Sequence, residues 1–280
     1  MMKLSRRKLF KLGLLGGVAG TSSLAYGNLI ERHQLTLEKV EVPLKLEHST
    51  LAGLRIAMVS DFHFDELQEG ALIARCVEKI NAQQPDLIIL CGDYVSHDHE
   101  PVEPLAQHLA KLTAPLGVFA VLGNHDHWAG ASQVTRQLTR AGIQVLRNQA
   151  ETLTYRHSPF QLAGLGSVWV GDAHLKTALP LLSKKSLPAI LAVHEPDFFD
   201  RINQDPRIAL QLSGHTHGGQ VCAPFYGAMR LPSWGKNYIS GLYRRHHSHI
   251  YVTRGVGTLF PHVRFCCPPE ISLLTLTAPV

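Results

Sequence analysis

Residues 54–63 read LRIAMVSDFH, an apolar run that stops on Asp61 and His63. The same design returns twice. Asp86–Leu90 (DLIIL) leads into Gly92-Asp93, and Gly117–Leu122 (GVFAVL) leads into Gly123-Asn124-His125-Asp126. Short, continuously apolar runs predict strands buried on both faces. Helical periodicity fills the gaps. Glu69–Gln83 repeats Leu72, Ile73, Cys76, Val77 and Ile80, Val102–Leu112 repeats Leu105, Leu109 and Leu112, and Ser132–Ala141 stops at Gly142. This alternation predicts parallel strands under helices. Later the helices thin out. Strands are expected at Ile143–Leu146, Thr152–Tyr155, Phe160–Leu165, Ala189–Val193, Ile208–Leu212, His249–Thr253 and Ile271–Leu276. The count predicts an α/β fold of four layers, with two packed mixed β-sheets flanked by α-helices.

Two more apolar runs also end in polar clusters, Val193-His194-Glu195 and Gly214-His215-Thr216-His217-Gly218-Gly219. In α/β sheets ligands bind beyond the carboxyl ends of strands, so five such ends are expected to converge. In extended chain, residues i and i+2 share a side, which lets Asp61 with His63, or His215 with His217, grip one ion. The glycines before Asp93, Asn124 and His215 permit tight turns. Asp, His and Asn donors without cysteine suit Mn²⁺, Zn²⁺ or Fe. Seven such groups are too many for one ion, and two ions about 3.5–4 Å apart are a common clamp for attack at phosphorus.

The chain has 280 residues, 45 % hydrophobic and 18 % charged, which excludes a disordered polymer. Histidine is abundant, at 17 residues. The formal net charge of +5 comes from Lys3, Arg6, Arg7, Lys8 and Lys11, so the remainder is neutral. A neutral body argues against a stable nucleic-acid complex. Ser5-Arg6-Arg7-Lys8-Leu9-Phe10 precedes an apolar run from Leu12 to about Ile30 that is diluted by glycine and serine, the layout of a twin-arginine export signal. The other reading is a basic amphipathic helix. Cleavage and retention as an anchor both stay open. The chain thus divides into a signal or membrane anchor (1–30), a lead-in (31–49) and one catalytic domain (50–280). No C-x-x-C occurs among the five cysteines; Cys76 and Cys91 read as buried, and pairing among Cys222, Cys266 and Cys267 is left open.

The ordered motifs D-x-H, G-D, G-N-H-D, H and G-H-T-H resemble the calcineurin-like metallophosphoesterases over about residues 50–276. The twin-arginine start, H-T-H-G-G-Q, Ser240–Tyr243 and Thr253–Gly257 resemble the exported bacterial phosphodiesterase branch of the YaeI and YkuE type. The resemblance implies that Asp61, His63 and His217 hold one divalent ion, Asn124, His194 and His215 hold a second, and Asp93 bridges them. It implies attack on a phosphate diester by a hydroxide between the ions, with His125 stabilising charge and protonating the leaving oxygen, and Asp126 orienting the His125 ring. Manganese is the expected metal. A lipid-linked nucleotide such as UDP-2,3-diacylglucosamine is the alternative substrate, and a non-catalytic binding module a remote one. The Tat translocase is the expected export partner, the periplasm or the outer face of the cytoplasmic membrane the expected location, and membrane association is left open. Arg244 and Arg254 are candidate phosphate contacts. The aromatics of Ala223–Arg245 form either an apolar substrate wall or a sheet cover. His97–His99 and His246–His249 read as loops, and His127 and Trp128 as possible substrate contacts.

Overall fold

The computed structural model describes residues 20–64, 70–174, 187–246 and 248–279. The twin-arginine motif therefore lies outside the described residues. The first sheet contains β1 (Thr36–Pro43), β2 (Arg55–Val59), β3 (Leu87–Leu90), β4 (Val118–Ala120), β5 (Gln144–Val145) and β14 (Glu270–Thr277). Their spatial order is β1-β14-β2-β3-β4-β5. All neighbours run parallel except β14 and β2. The second sheet contains β6 (Gln149–Tyr155), β7 (Ser158–Gly164), β8 (Ala189–Ala192), β9 (Ile208–Ser213), β12 (Gly241–Arg245) and β13 (Ser248–Val252), in the order β12-β13-β9-β8-β7-β6. It is parallel at its centre, with an antiparallel pair at each edge. A small hairpin, β10 (Cys222–Ala223) with β11 (Gly227–Ala228), stands apart.

Side-chain alternation explains why the strands read as unbroken apolar runs. Ile56, Met58, Leu87 and Ile89 point between the sheets, where they meet Leu162, Ile190, Leu210 and Leu212. Ala57, Val59, Ile88 and Leu90 point the other way. There they pack under α2 (Gly70–Asn81), α3 (Val102–Leu109) and α4 (Asn124–Arg140). The outer face of the second sheet is covered more thinly. A 3-10 helix, Pro196–Arg201, contributes Phe198 and Phe199, which pack with Leu191, Val193 and Tyr238. The central strands β2, β3, β8 and β9 are thus dry on both faces, as continuous apolar strands require. Residues 20–29 form α1, and among the described residues no helix is long and apolar enough to cross a membrane.

Three features depart from the expected layout. The lead-in carries β1, whose alternating Leu37, Lys39 and Glu41 lack the apolar density of a core strand; it pairs at the sheet edge with β14. β12 is another edge strand, charged at its end through Arg244 and Arg245, within the stretch expected to be either a substrate wall or a sheet cover. α4 starts at Asn124 rather than Ser132, because Gly130 (φ 119°) kinks it and breaks the periodicity.

Arg264 ties the loops at the site end of the molecule. It is fully buried, and among the described residues no carboxylate forms an ion pair with it. Its guanidinium donates instead to the carbonyls of Arg254, Gly255, Gly257 and Cys267, at 2.7–3.1 Å. Gly257 N–H in turn donates to Asp61 O at 2.7 Å. Losing a hydrogen-bond fork strands several buried carbonyls, each at about 1–3 kcal/mol. Arg264→Met is expected to lower stability by about 3 kcal/mol or more, visible as a drop of roughly 6–12 °C in melting temperature. A drop of under one degree would show that the fork is dispensable.

Candidate metal centre

All five strand ends converge, three from the first sheet and two from the second. β2 delivers Asp61 and His63, β3 Asp93, and β4 the start of α4 with Asn124, His125 and Asp126. β8 delivers His194 and β9 delivers His215 and His217. Each of these side chains is buried, most of them completely.

The convergence does not arise from extended chain. Asp61 (φ 54°), His63 (44°), Asp93 (55°), His215 (74°) and His217 (52°) all occupy the left-handed region. Such conformations cost L-residues about 1–2 kcal/mol each and gather at functional sites. The surroundings hold them. His215 N–H donates to both oxygens of Asp61 at 3.0 Å, and His125 N–H donates to Asp93 Oδ1 at 3.0 Å. Glycine supplies the room: a Cβ on Gly123 would overlap the Asp93 carboxylate, and one on Gly214 would overlap Ser60.

Two buried triads result. Asp61, His63 and His217 bring their donor atoms within 4.8 Å of one another, and so do Asp93, His194 and His215. A third grouping, His63, Asp93 and His125, links them. His63 Nε2 lies 3.0 Å from His217 Nε2, and Asp93 Oδ2 lies 3.1 Å from His194 Nε2 and 3.6 Å from His63 Nε2. Backbone carbonyls aim the rings. Cys91 O meets His194 Nδ1 at 2.6 Å, leaving Nε2 for the site, and Ser233 O meets His215 Nε2 at 2.7 Å, leaving Nδ1. Such partners orient ligand imidazoles.

The donor set fits divalent cations. Burial pushes His63 down to about 3, His215 to about 4 and His217 well below its ordinary value, so these rings are neutral at pH 7, the ligand form. Burial also pushes Asp61 up to about 6, the mark of a carboxylate in want of a nearby cation. Asp93 goes the other way: burial would raise it, but His194, His63 and His125 hold it well below the usual range. Asn124 Oδ1 is buried beside these groups without a hydrogen bond. Two neutral imidazole nitrogens at 3.0 Å can share a proton or a cation.

The cleft above measures about 620 Å³. Its floor is Asp93, Asn124, His125, His215 and His217, and its walls are apolar: Trp128 and Trp169 facing Met229, Leu231 and Phe260. The rings make a continuous edge-to-face chain from His125 through Trp128 and Trp169 to His215. Glu195 braces that wall, accepting from the Ser167 hydroxyl and from the Val168 and Trp169 amides. Sequence reading missed Trp169, Arg230 and Phe260, which sit far apart in the chain with no common spacing. The position of Glu195 next to His194 was the one available signal.

Several expected roles change. Asp126 does not touch the His125 ring. It accepts from the backbone N–H groups of Asp93, Tyr94 and Gly123, each at 2.8 Å, and so locks two ligand loops together. The His125 ring is instead oriented by Ser96 O, 2.6 Å from Nδ1. Arg254 is no phosphate contact: Glu38 at 2.7 Å and Glu270 at 3.1 Å already engage it. Arg244 lines a separate hollow with Lys45, Glu47 and His249. Of the aromatic stretch, Tyr238 is buried and Trp234 and Tyr243 are packed against the same core, as a sheet cover, while Phe225 and Tyr226 are exposed. His127 faces Asp172 at 3.5 Å, and among the described residues all five cysteines are free thiols.

Because Asp126 holds backbone rather than a reacting group, its loss should act through metal. Asp126→Ala is expected to weaken divalent-metal affinity about 10–100-fold, read by titration with Mn²⁺. Native affinity combined with low turnover would assign Asp126 to the chemistry instead.

Comparison with known proteins follows this geometry. Residues 54–219 match the calcineurin-like phosphoesterase family. The chain is 35 % identical over 288 residues to the uncharacterized metallophosphoesterase YkuE of Bacillus subtilis, covering 99 % of both chains. It is 32 % identical to the phosphodiesterase YaeI of Escherichia coli, covering 98 % of this chain and 99 % of that one. It is 29 % identical to the UDP-2,3-diacylglucosamine pyrophosphatase LpxG of Chlamydia trachomatis, covering 89 % and 91 %. Among solved structures, a 5'-nucleotidase precursor from Thermus thermophilus shares the fold, with a TM-score of 0.50 at 14 % identity over 80 % of this chain and 54 % of the other. With motifs, fold and relatives in agreement, the chain belongs to the calcineurin-like phosphoesterase family.

Proposed function

We propose that this phosphoesterase hydrolyses phosphate diesters with two divalent ions, manganese being the expected metal. The observation that carries the reading is the pair of buried donor triads sharing one cleft floor. Asp61, His63 and His217 would hold one ion, Asn124, His194 and His215 the other, with Asp93 between them. When bound, the ions supply Lewis acidity to the phosphate and lower the pKa of the attacking water. The chain does the rest. Asp93 is a carboxylate with two oxygens, suited to sit between two dications. His125 lines the cleft with Nδ1 tied to Ser96 O, which leaves Nε2 to meet the phosphate and protonate the leaving oxygen. The left-handed backbone positions pre-set the donors, so little reorganisation is left to the moment of binding.

A second reading, hydrolysis of a lipid-linked nucleotide diphosphate, is favoured by the apolar cleft walls and by the similarity to LpxG. Paired turnover of bis(p-nitrophenyl) phosphate and UDP-2,3-diacylglucosamine separates the two; preference for the latter would replace the first reading. The N-terminal arginine pair supports export by the twin-arginine route, with action in the periplasm or at the outer face of the cytoplasmic membrane. Arg6→Lys with Arg7→Lys should stop that export.

His125→Ala is expected to lower kcat on bis(p-nitrophenyl) phosphate roughly 10²–10⁴-fold while metal content is retained. Unchanged turnover would remove His125 from the chemistry. Asp93→Asn should instead lower the metal content itself, measured by elemental analysis, because the bridge loses its charge. Full occupancy in that variant would contradict the bridging role.

A further inference from the structure

The cleft opens through an apolar rim. Phe260 is 89 % exposed, Met229 61 % and Trp128 54 %, although each lines the cleft. Beside them stands the β10–β11 hairpin, whose tip presents Phe225, fully exposed, and Tyr226. Phe225 has φ 65°, a conformation that a bulky side chain enters only at a cost. Glycine or asparagine would be the unstrained choice for such a tip.

Phe260 and the hairpin share one support, the segment 258–267. The hairpin is tied to it by Cys222 N–H donating to Phe265 O at 2.9 Å. Gln220 adds bonds to the carbonyls of Leu259 and Pro261. α1 sits on the same segment. Tyr26 packs edge-on against Phe265, Asn28 Nδ2 donates to His262 O at 2.7 Å, and Arg264 N–H donates to Gly27 O at 3.2 Å. α1 and the turn after it leave Leu24, Leu29 and Ile30 exposed. Immediately before α1 the sequence runs through Leu12, Leu14, Leu15 and Val18, preceded by five basic residues.

Exposed apolar patches of this kind mark interaction surfaces. Aromatic tips beside an apolar, basic-flanked segment suit the boundary of a bilayer. The continuity of that apolar sequence with α1 selects a lipid surface over a second copy or a soluble protein: α1 packs on the segment that carries the cleft-lining Phe260. Charge agrees. Arg230 is the one Lys or Arg among the described residues that line the cleft, and the body is neutral overall, so attachment rests on apolar contact.

We infer that the cleft mouth docks on a lipid bilayer through Phe225, Tyr226 and Phe260, and takes its phosphoester from an amphiphile in that surface. This deepens the phosphodiesterase reading and rests on it for the substrate. It is independent of that reading for the docking.

The test uses the full chain with manganese and two probes. One is bis(p-nitrophenyl) phosphate in water; the other is p-nitrophenyl hexadecyl phosphate carried in phosphatidylcholine vesicles. The double variant Phe225→Ser with Tyr226→Ser keeps the N-terminus and the cleft floor. It is expected to match the native chain on the soluble diester and to lose about tenfold or more on the vesicle substrate. Equal rates on both probes would overturn the proposal. Brominated phosphatidylcholine vesicles supply a readout without turnover. They should quench the fluorescence of Trp128 and Trp169 in the native chain and less so in the variant. Unquenched fluorescence, or capture of the native chain by a soluble protein or a second copy in preference to vesicles, would equally overturn it. Quenching without hydrolysis of either probe would sustain the docking and reject the phosphodiesterase reading.

Discussion

Hydrogen bonds seam the two sheets together where the chemistry sits, and the tightest constraint among them is one amide on one carboxylate. His215, at the end of β9, donates its backbone N–H to both oxygens of Asp61, at the end of β2. Apolar packing between the sheets is non-directional and fixes no register to a fraction of an ångström. The seam does, because a carboxylate accepts an amide proton over a narrow range of positions. It depends on Gly214, the one residue type whose backbone can lie against Ser60. Four predicted ligands from one sheet then face three from the other across a fixed gap.

The arrangement opposes local preference, and the rest of the fold compensates. Five predicted ligands occupy left-handed backbone. Left alone, those residues would relax toward extended or helical conformations and the donors would part. Three constraints oppose relaxation: the three amides gathered by Asp126, the four carbonyls gathered by Arg264, and strands dry on both faces behind them. Stability is concentrated in the sheets, and the site draws on it. The neutrality of His63, His215 and His217 has the same origin, since burial that would penalise their charge leaves their lone pairs free.

The legible part of this architecture was the part with local signatures. Val59, Leu90, Leu122, Val193 and Leu212 each close an apolar run just before a polar cluster, and that grammar located five strands and seven candidate ligands. Three kinds of feature left no local trace. Edge strands such as β1 carry Lys39 and Glu41 on a solvated face, so they do not read as core. Roles that depend on distant backbone were misread: Asp126 next to His125 suggests a side-chain pair, whereas its oxygens serve amides 32 and 33 residues away as well as Gly123. Arg254 looked like a phosphate ligand because nothing nearby in sequence neutralises it; Glu38 does so from across the sheet. Most of the cleft wall was hidden for the same reason, since Trp169, Met229 and Phe260 come from three separate loops; Trp128, on α4 beside the G-N-H-D motif, is the wall residue that the sequence does point to.

Abundance of histidine also proves less informative than its placement. His48 and His99 spend ring nitrogens on the carbonyls of Pro206 and Ala129, and His127 faces Asp172. Those rings are structural. What separates His63, His194, His215 and His217 is that one nitrogen of each gathers with an aspartate oxygen in a buried donor triad. The walls above the cleft floor offer a phosphate little charge: among the described residues Arg230 is the one Lys or Arg that lines the cleft. On the proposed reading recognition would divide by height. The floor would take the phosphate, and the largely apolar walls would favour an organic group that buries apolar surface against them. Such a cleft would discriminate poorly among phosphates in water and better among phosphates that arrive with a hydrophobic body attached.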